Sequence, residues 1–294
     1  MDTIDRLTRH LDGVTRARRD RGAPQVAVSA PGLTFSYGDA ALPFHIASIG
    51  KVFTAVLVMQ LVESGAFTLE TPVVGLLPEG TLAGLVEPGR IGTVTVADLL
   101  AHEGGVADYF DGPVTSGPTF LSLVLGEPDR FWTPADLLDF SRSRQRPVTP
   151  GFTYSDTGYV LLGVMLEHVT GRTFEQLMHE RVFAPVGLDA SYLAWRSVPG
   201  SASPGPASSA PAALPGPIAP FTLGAVEVSS FRSVSCDWAG GGIVSTLADL
   251  LEFNRALHDG RLMSGASLAR LSVVRNRFRR GIHYGAGMME LRFE

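Results

Sequence analysis

Residues Val52 to Val62 are apolar almost all round, and the run ends near Gly65. A helix with no polar face to offer water has to be buried at the centre of a fold. Just ahead of it stands Ser48-Ile49-Gly50-Lys51, so a serine sits at the mouth of a core helix and a lysine one turn further in. Residues three apart on a helix share a face, and the two side chains can touch. That lysine is the only one in the chain: the other members of a set of 24 basic residues are all arginine. With 33 Gly and 20 Pro, the bias is that of a GC-rich genome in which lysine has drifted to arginine wherever the two are interchangeable. They are not interchangeable where an amine must give up a proton. Lys51 is therefore a candidate chemical group, and chance survival is the plain alternative.

Composition excludes several classes of function. With 294 residues, 45% of them apolar, the chain can bury one large core or two. A net charge of −5 and a pI near 5.8 give no basic face for nucleic acid. No apolar run reaches the ~18 residues that a membrane span needs. Met1 to Gly22 mixes acids and arginines without an apolar core, so it does not read as a secretory signal, and a cytoplasmic location is expected. Cys236 has no second cysteine to pair with. Metal spacings such as C-x-x-C and H-E-x-x-H are absent, and neither a metal nor a cofactor is expected.

Along the chain, Ile4, Leu7, Leu11 and Val14 predict an amphipathic helix over 2–19. Gln25–Ala30 and Leu33–Tyr37 predict two strands joined at Pro31-Gly32. Val96–Ala101 predicts a short helix ahead of His102-Glu103-Gly104-Gly105. Thr133-Pro134 opens a helix over Ala135–Ser141, and Tyr154-Ser155-Asp156 precedes an apolar helix, Tyr159–Val169, stopped by Gly171. Thr173 to Gln176 is a capping box for a helix ending before Pro185 and Gly187. Residues 199–220 are nearly all Pro, Ala, Ser and Gly, which predicts a mobile surface loop, with a lid over a site as the alternative. Gly240-Gly241-Gly242 leads to Ser245 and a helix through His258, and Glu290–Glu294 reads as a strand.

A serine hydroxyl becomes a nucleophile when a neighbouring base takes its proton, and a desolvated lysine can do that. The helix N-terminus adds N–H groups that favour a developing oxyanion. At this point the chain resembles the serine β-lactamase and penicillin-binding-protein superfamily, in the branch with class C β-lactamases, D-alanyl-D-alanine carboxypeptidases and related esterases. Phe44 to Phe53 looks like its nucleophile motif. Leu99 to Val106 is similar to the "LLxHTSGL" stretch, with Glu-Gly for Thr-Ser. Pro150 to Tyr159 resembles the Y-x-N segment, and Gly241 to Thr246 the "GGLVST" stretch. The resemblance implies an α/β (α+β) fold: an antiparallel sheet flanked by helices, built from 1–69 and 232–294, with a mostly helical domain, 70–231, inserted. It implies a serine hydrolase working through an acyl-enzyme on a small ester, amide or peptide, with Ser48 as nucleophile, Lys51 as its activating partner, Tyr154 relaying protons and Asp156 meeting the substrate. The alternative is a non-catalytic member that binds or regulates.

Two departures from the family pattern matter. Asp156 stands where the family has Asn, an amide that can donate to a substrate carbonyl. For the third motif, His283-Tyr284-Gly285 matches H-x-G by letter, yet Tyr284-Gly285-Ala286-Gly287 is closer to the "YGLG" strand that precedes it. On that reading the sheet is incomplete at the C-terminus, and the second oxyanion donor lies beyond Glu294. Other polar residues are expected to be unremarkable: His102 bonded to a backbone carbonyl, Asp108 and Asp111 in a solvated loop, Cys236 filling the core, and Arg275, Arg277, Arg279 and Arg280 forming a solvated basic stretch before a strand.

Overall fold

A computed structural model of the chain describes residues 2–17, 24–201 and 214–292. Its elements, in order, are α1 (Thr3–Ala17), the hairpin β1 (Val26–Ala30) and β2 (Leu33–Tyr37), β3 (Phe44–His45), α2 (Gly50–Glu63), α3 (Val96–Leu100), α4 (Phe120–Gly126), α5 (Pro134–Arg144) and α6 (Asp156–Thr170). There follow α7 (Phe174–Met178), α8 (Ala184–Val186), β4 (Tyr192–Leu193), β5 (Thr222–Leu223), β6 (Val226–Glu227) and α9 (Trp238–Gly241). The last are β7 (Ile243–Ser245), α10 (Leu247–His258), α11 (Gly265–Ser272), β8 (Asn276–Arg279), β9 (Ile282–Tyr284) and β10 (Met289–Leu291).

The mixed fold is as expected, and all the strand ladders are antiparallel. Among the described residues, however, the strands form small sheets of two or three instead of one broad one. In one of them β7 pairs with both β3 and β4, tying the stretch before Ser48 to the stretch after the glycine run. Turn and cap chemistry sets the local structure where the sequence signals it. Gly32 takes φ 76° in the β1–β2 turn, and Gly171 ends α6 at φ 66°. Thr133 and Thr173 each make the reciprocal capping box that their sequences announce.

α2 is the buried axis. Phe53, Ala55, Val56, Leu57, Val58 and Met59 are each at most 1% exposed, because α6, α7, α9 and α11 cover the helix from several sides. α6 is nearly as deep: Tyr159 to Leu162 have no exposed surface.

Two sequence expectations need correction. Arg277 and Arg279 do not precede a strand; they lie in one, β8, where they face solvent alternately with the half-buried Asn276 and Phe278. The segment satisfies the two-residue period of a strand, and a bulge between Arg277 and Arg279 lets it turn back into β9. Pro185 does not follow a helix end. A π turn over His179–Phe183 carries the chain from α7 into α8, whose first turn accepts a proline because its N–H needs no partner there. Helix α1 ends at Ala17 among the described residues. Of the Pro/Ala-rich stretch, 202–213 lie outside the described residues, whereas Leu214 and Ile218 at its far side pack on Tyr192 and Val244.

Glu167 joins two of these helices by accepting the Phe174 N–H at 2.8 Å, at the start of α7. Burial pushes its carboxyl up to about 7. A carboxyl whose folded value is raised holds its proton more tightly in the native state, so its contribution to stability is full below pH ~4.5 and is lost as pH rises toward ~7. Glu167→Gln keeps the acceptor and removes the titration. Denaturant unfolding is expected to show the variant gaining on the wild type between pH 5 and 8, by on the order of 1–2 kcal/mol once partial solvent screening is allowed for.

Candidate active site

Ser48 lies in a single 3-10 turn, Ala47–Ile49, that runs straight into α2. Ala47 has φ 47°, a left-handed conformation that costs an alanine free energy. The kink leaves Ser48 exposed while Lys51, one turn on, is only 2% exposed. The Lys51 ammonium donates to Ser48 Oγ at 3.2 Å, to the Gly240 carbonyl at 2.8 Å and to Asp156 Oδ1 in a short contact. Burial lowers the lysine's proton affinity, but Asp156 beside it, helped by Tyr154 and Tyr284, outweighs that and holds the ammonium above its ordinary value. In the resting site, all three protons of this amine are directed at acceptors.

Tyr154 and Asp156 flank the N-cap of α6, and Ser155 is the cap itself, its Oγ accepting the Gly158 N–H at 3.2 Å. That geometry turns the Tyr154 ring toward Lys51, whose Nζ is 5.0 Å from the ring centroid. Burial raises the proton affinity of the phenol, and Lys51 and Ser48 both act on it to oppose that rise. Ser48, Lys51, Tyr154 and Asp156, which the sequence singles out together, therefore meet in one place.

The glycine run makes this meeting possible. A Cβ on Gly241 would sit 2.6 Å from the Ala47 carbonyl oxygen, and one on Gly50 would sit 2.9 Å from the Gly241 Cα. Two backbones touch here with no room for a side chain, and the same contact points the Gly240 carbonyl at Lys51. The sequence marks the run as part of a motif but gives no sign that Gly240 would bond the lysine.

His102 departs from expectation. It is not bonded to a carbonyl; its Nδ1 accepts the Ser155 N–H at 3.1 Å. Its ring is boxed by Tyr154 at 4.3 Å, Tyr284 at 4.6 Å and Tyr159 at 5.2 Å between centroids. Burial first, and the Lys51 charge second, push it well below the ordinary histidine value, so it is a neutral orienting group. Asp108 also departs from expectation: it is 8% exposed, not solvated, because the backbone N–H groups of Phe110, Asp111 and Asp156 solvate its carboxylate in place of water. Asp111 is exposed, and Cys236 fills the core as predicted. Asp237, which the sequence did not mark, lies 3.5 Å from His45 Nε2, and burial together with Asp156 pushes its carboxyl up to about 7. Tyr284 of the disputed third motif lies in β9 and meets the Tyr159 hydroxyl at 3.1 Å. Beside Tyr154 opens a cleft of about 540 Å³, lined by Phe278, Val114 and Val148 together with Arg146 and Arg279.

An exposed serine paired with a buried lysine at the start of a core helix, a tyrosine over them and a glycine strand entrance beneath them define the class of β-lactamase-like serine hydrolases. The chain belongs to the Beta-lactamase family, whose model it matches over residues 15–289. It is 34% identical over 148 residues to penicillin-binding protein 4 of Amycolatopsis lactamdurans, a match covering 50% of this chain and 35% of that protein. The match thus spans about a third of that relative's length. Among solved structures, it superposes on a D-stereospecific amidohydrolase from Streptomyces sp. with TM-score 0.70 and 29% identity, over 87% of this chain and 74% of that one. The D-amino acid amidase from Ochrobactrum anthropi SV3, complexed with L-phenylalanine, gives TM-score 0.73 and 25% identity over 98% and 81% of the two chains. No helix of the described residues is long and apolar enough to cross a membrane.

The contact at Gly241 can be tested directly. Gly241→Ala forces a methyl group onto backbone that cannot rotate away, and such overpacking costs about 1–3 kcal/mol. A lowered urea midpoint with an unchanged slope is expected; a midpoint equal to wild type would show that the two backbones separate freely.

Proposed function

We propose that the chain hydrolyses an ester or amide bond of a small substrate through an acyl-enzyme on Ser48. The observation that carries this reading is the Lys51 ammonium, buried and shared between Ser48 Oγ, Asp156 and the Gly240 carbonyl. Ser48 Oγ attacks the substrate carbonyl carbon, and its proton must leave as the C–O bond forms. Lys51 becomes an acceptor for it by first passing a proton to the Asp156 carboxylate; Tyr154 is the other candidate acceptor. Tyr154 then returns a proton to the departing amine or alcohol, and water attacks the acyl-serine by the reverse sequence. The Ser48 N–H, at the positive end of α2, is placed to stabilise the oxyanion. The amidase likeness of the solved neighbours favours an amide, and the apolar walls beside Tyr154 favour an acyl group with a hydrophobic side chain.

A second reading, a non-catalytic binding protein, draws on the same lysine: an ammonium held this firmly is a poor resting base. Labelling separates the two. A fluorophosphonate or activated aryl ester is expected to modify Ser48 stoichiometrically in the wild type and not at all in Ser48→Ala. Lys51→Arg keeps the charge but cannot accept a proton at neutral pH, and its labelling rate should fall on the order of 10²–10⁴-fold. An unlabelled wild type would favour the binding protein.

Asp156 has a separate signature. Its carboxylate repels acidic substrates such as penicillins and keeps Lys51 protonated, so neutral esters should be turned over better than β-lactams. Asp156→Asn is expected to raise the ratio of β-lactam to ester turnover; an unchanged or lower ratio would count against this electrostatic role.

A further inference from the structure

The segment Ala107–Tyr109 is fastened along the start of α6 by three successive hydrogen bonds. Ser155 Oγ donates to the Ala107 carbonyl at 3.1 Å, the Asp156 N–H donates to Asp108 Oδ1 at 3.1 Å, and the Tyr109 N–H donates to Thr157 Oγ1 at 2.9 Å. Asp108 is itself anchored from behind. Gln145, after the end of α5, donates to its carbonyl at 2.6 Å, and Ser141 fixes that amide at 2.7 Å. Its carboxylate also accepts the N–H groups of Phe110 and Asp111, each at 3.2 Å. A surface aspartate needs no such set of donors. What this one holds is the residue whose side chain pairs with Lys51.

We propose that Asp108 is a positioning residue for the nucleophile: it clamps the backbone at Asp156 so that the Asp156 carboxylate stays against Lys51, and its own charge sets how firmly that lysine keeps its proton. The proposal rests on the acyl-enzyme reading for its effect on rate, and on geometry alone for the clamp. The groups facing Asp108 are Asp156 on α6, Asp237 before α9, Tyr109 and Asp111 on its own loop, and Tyr154, Arg146 and Arg279 around the adjoining cleft; Lys51 is reached through Asp156. Burial first, then Asp156, push the Asp108 carboxyl up to about 7 against its backbone donors. Below that pH it is neutral. Above it, a second negative charge beside Asp156 strengthens the hold on the lysine proton and disfavours a Tyr154 phenolate, and both slow proton removal from Ser48.

Asp108→Asn keeps the acceptor facing Asp156 without the charge; Asp108→Ala removes both. The measurements are fluorophosphonate labelling of Ser48 between about pH 5.5 and 8.5 and amide hydrogen exchange over residues 154–158. The wild-type labelling rate is expected to bend downward near pH 7. Asp108→Asn should label close to the low-pH wild-type rate and flatten the bend, what remains belonging to Asp237, with wild-type protection of 154–158. Asp108→Ala should lose about tenfold or more at every pH, as misplaced groups do, and exchange faster over 154–158. A bend of undiminished depth in Asp108→Asn, or wild-type rate and protection in Asp108→Ala, would overturn the proposal. If Asp108→Ala fails to fold, the Asp108→Asn profile decides. If the wild type is not labelled, the acyl-enzyme reading fails by itself, and exchange over 154–158 in the two variants decides the clamp.

Discussion

One buried ammonium organises this molecule. An unpaired charge at the depth of Lys51 costs several kcal/mol, so α2 can occupy the centre of the fold only if acceptors are brought to it. They come from far along the chain: Asp156 is 105 residues away and Gly240 is 189. Satisfying the lysine therefore fixes α6 and α9 against α2 in one arrangement, and the same requirement places Ser48, Tyr154 and the glycine run around a single point. Packing and chemistry share one constraint.

The surroundings of the lysine raise the stakes of that pairing. Tyr154, Tyr159, Tyr284 and His102 form an aromatic wall on one side, which excludes water and lowers the local dielectric. Three carboxyls, Asp108, Asp156 and Asp237, influence one another, and Asp156 and Asp237 also feel the single amine. Burial first, and the Asp156 charge second, push two of them, Asp108 and Asp237, up to about 7. Carrying an acid at position 156 thus has a cost spread over its neighbours, and it exchanges an amide donor for a tighter hold on the Lys51 proton.

Backbone strain gathers at the same place. Of the non-glycine residues with positive φ among those described, Ala47 precedes Ser48, His102 lies in the aromatic wall and Trp238 opens the helix ending in the glycine run. Each such conformation costs on the order of 1–3 kcal/mol and persists only where its surroundings allow nothing else. Here the surroundings are the Ala47–Gly241 backbone contact, the His102–Ser155 hydrogen bond and the packing of Trp238 against Gly163, where a Cβ would meet its ring at 2.7 Å.

The sequence by itself determined the buried helix, the first hairpin, the caps at Thr133 and Thr173 and the pairing of Ser48 with Lys51. These rest on spacing and on the conformational rules of Gly, Pro and Thr, which act over a few residues. Its motifs also picked out Tyr154 and Asp156, though not through any local rule that would have brought them to Lys51. Tertiary structure alone decided that Asp108 is buried, that His102 is an acceptor, that Gly240 bonds the lysine, that Asp237 lies near the site and that the arginines of β8 form a strand edge. Each of those depends on what stands opposite: an N–H group, an aromatic face or a second backbone from a distant part of the chain. Spacing along a sequence carries no information about such partners until the core has closed around them.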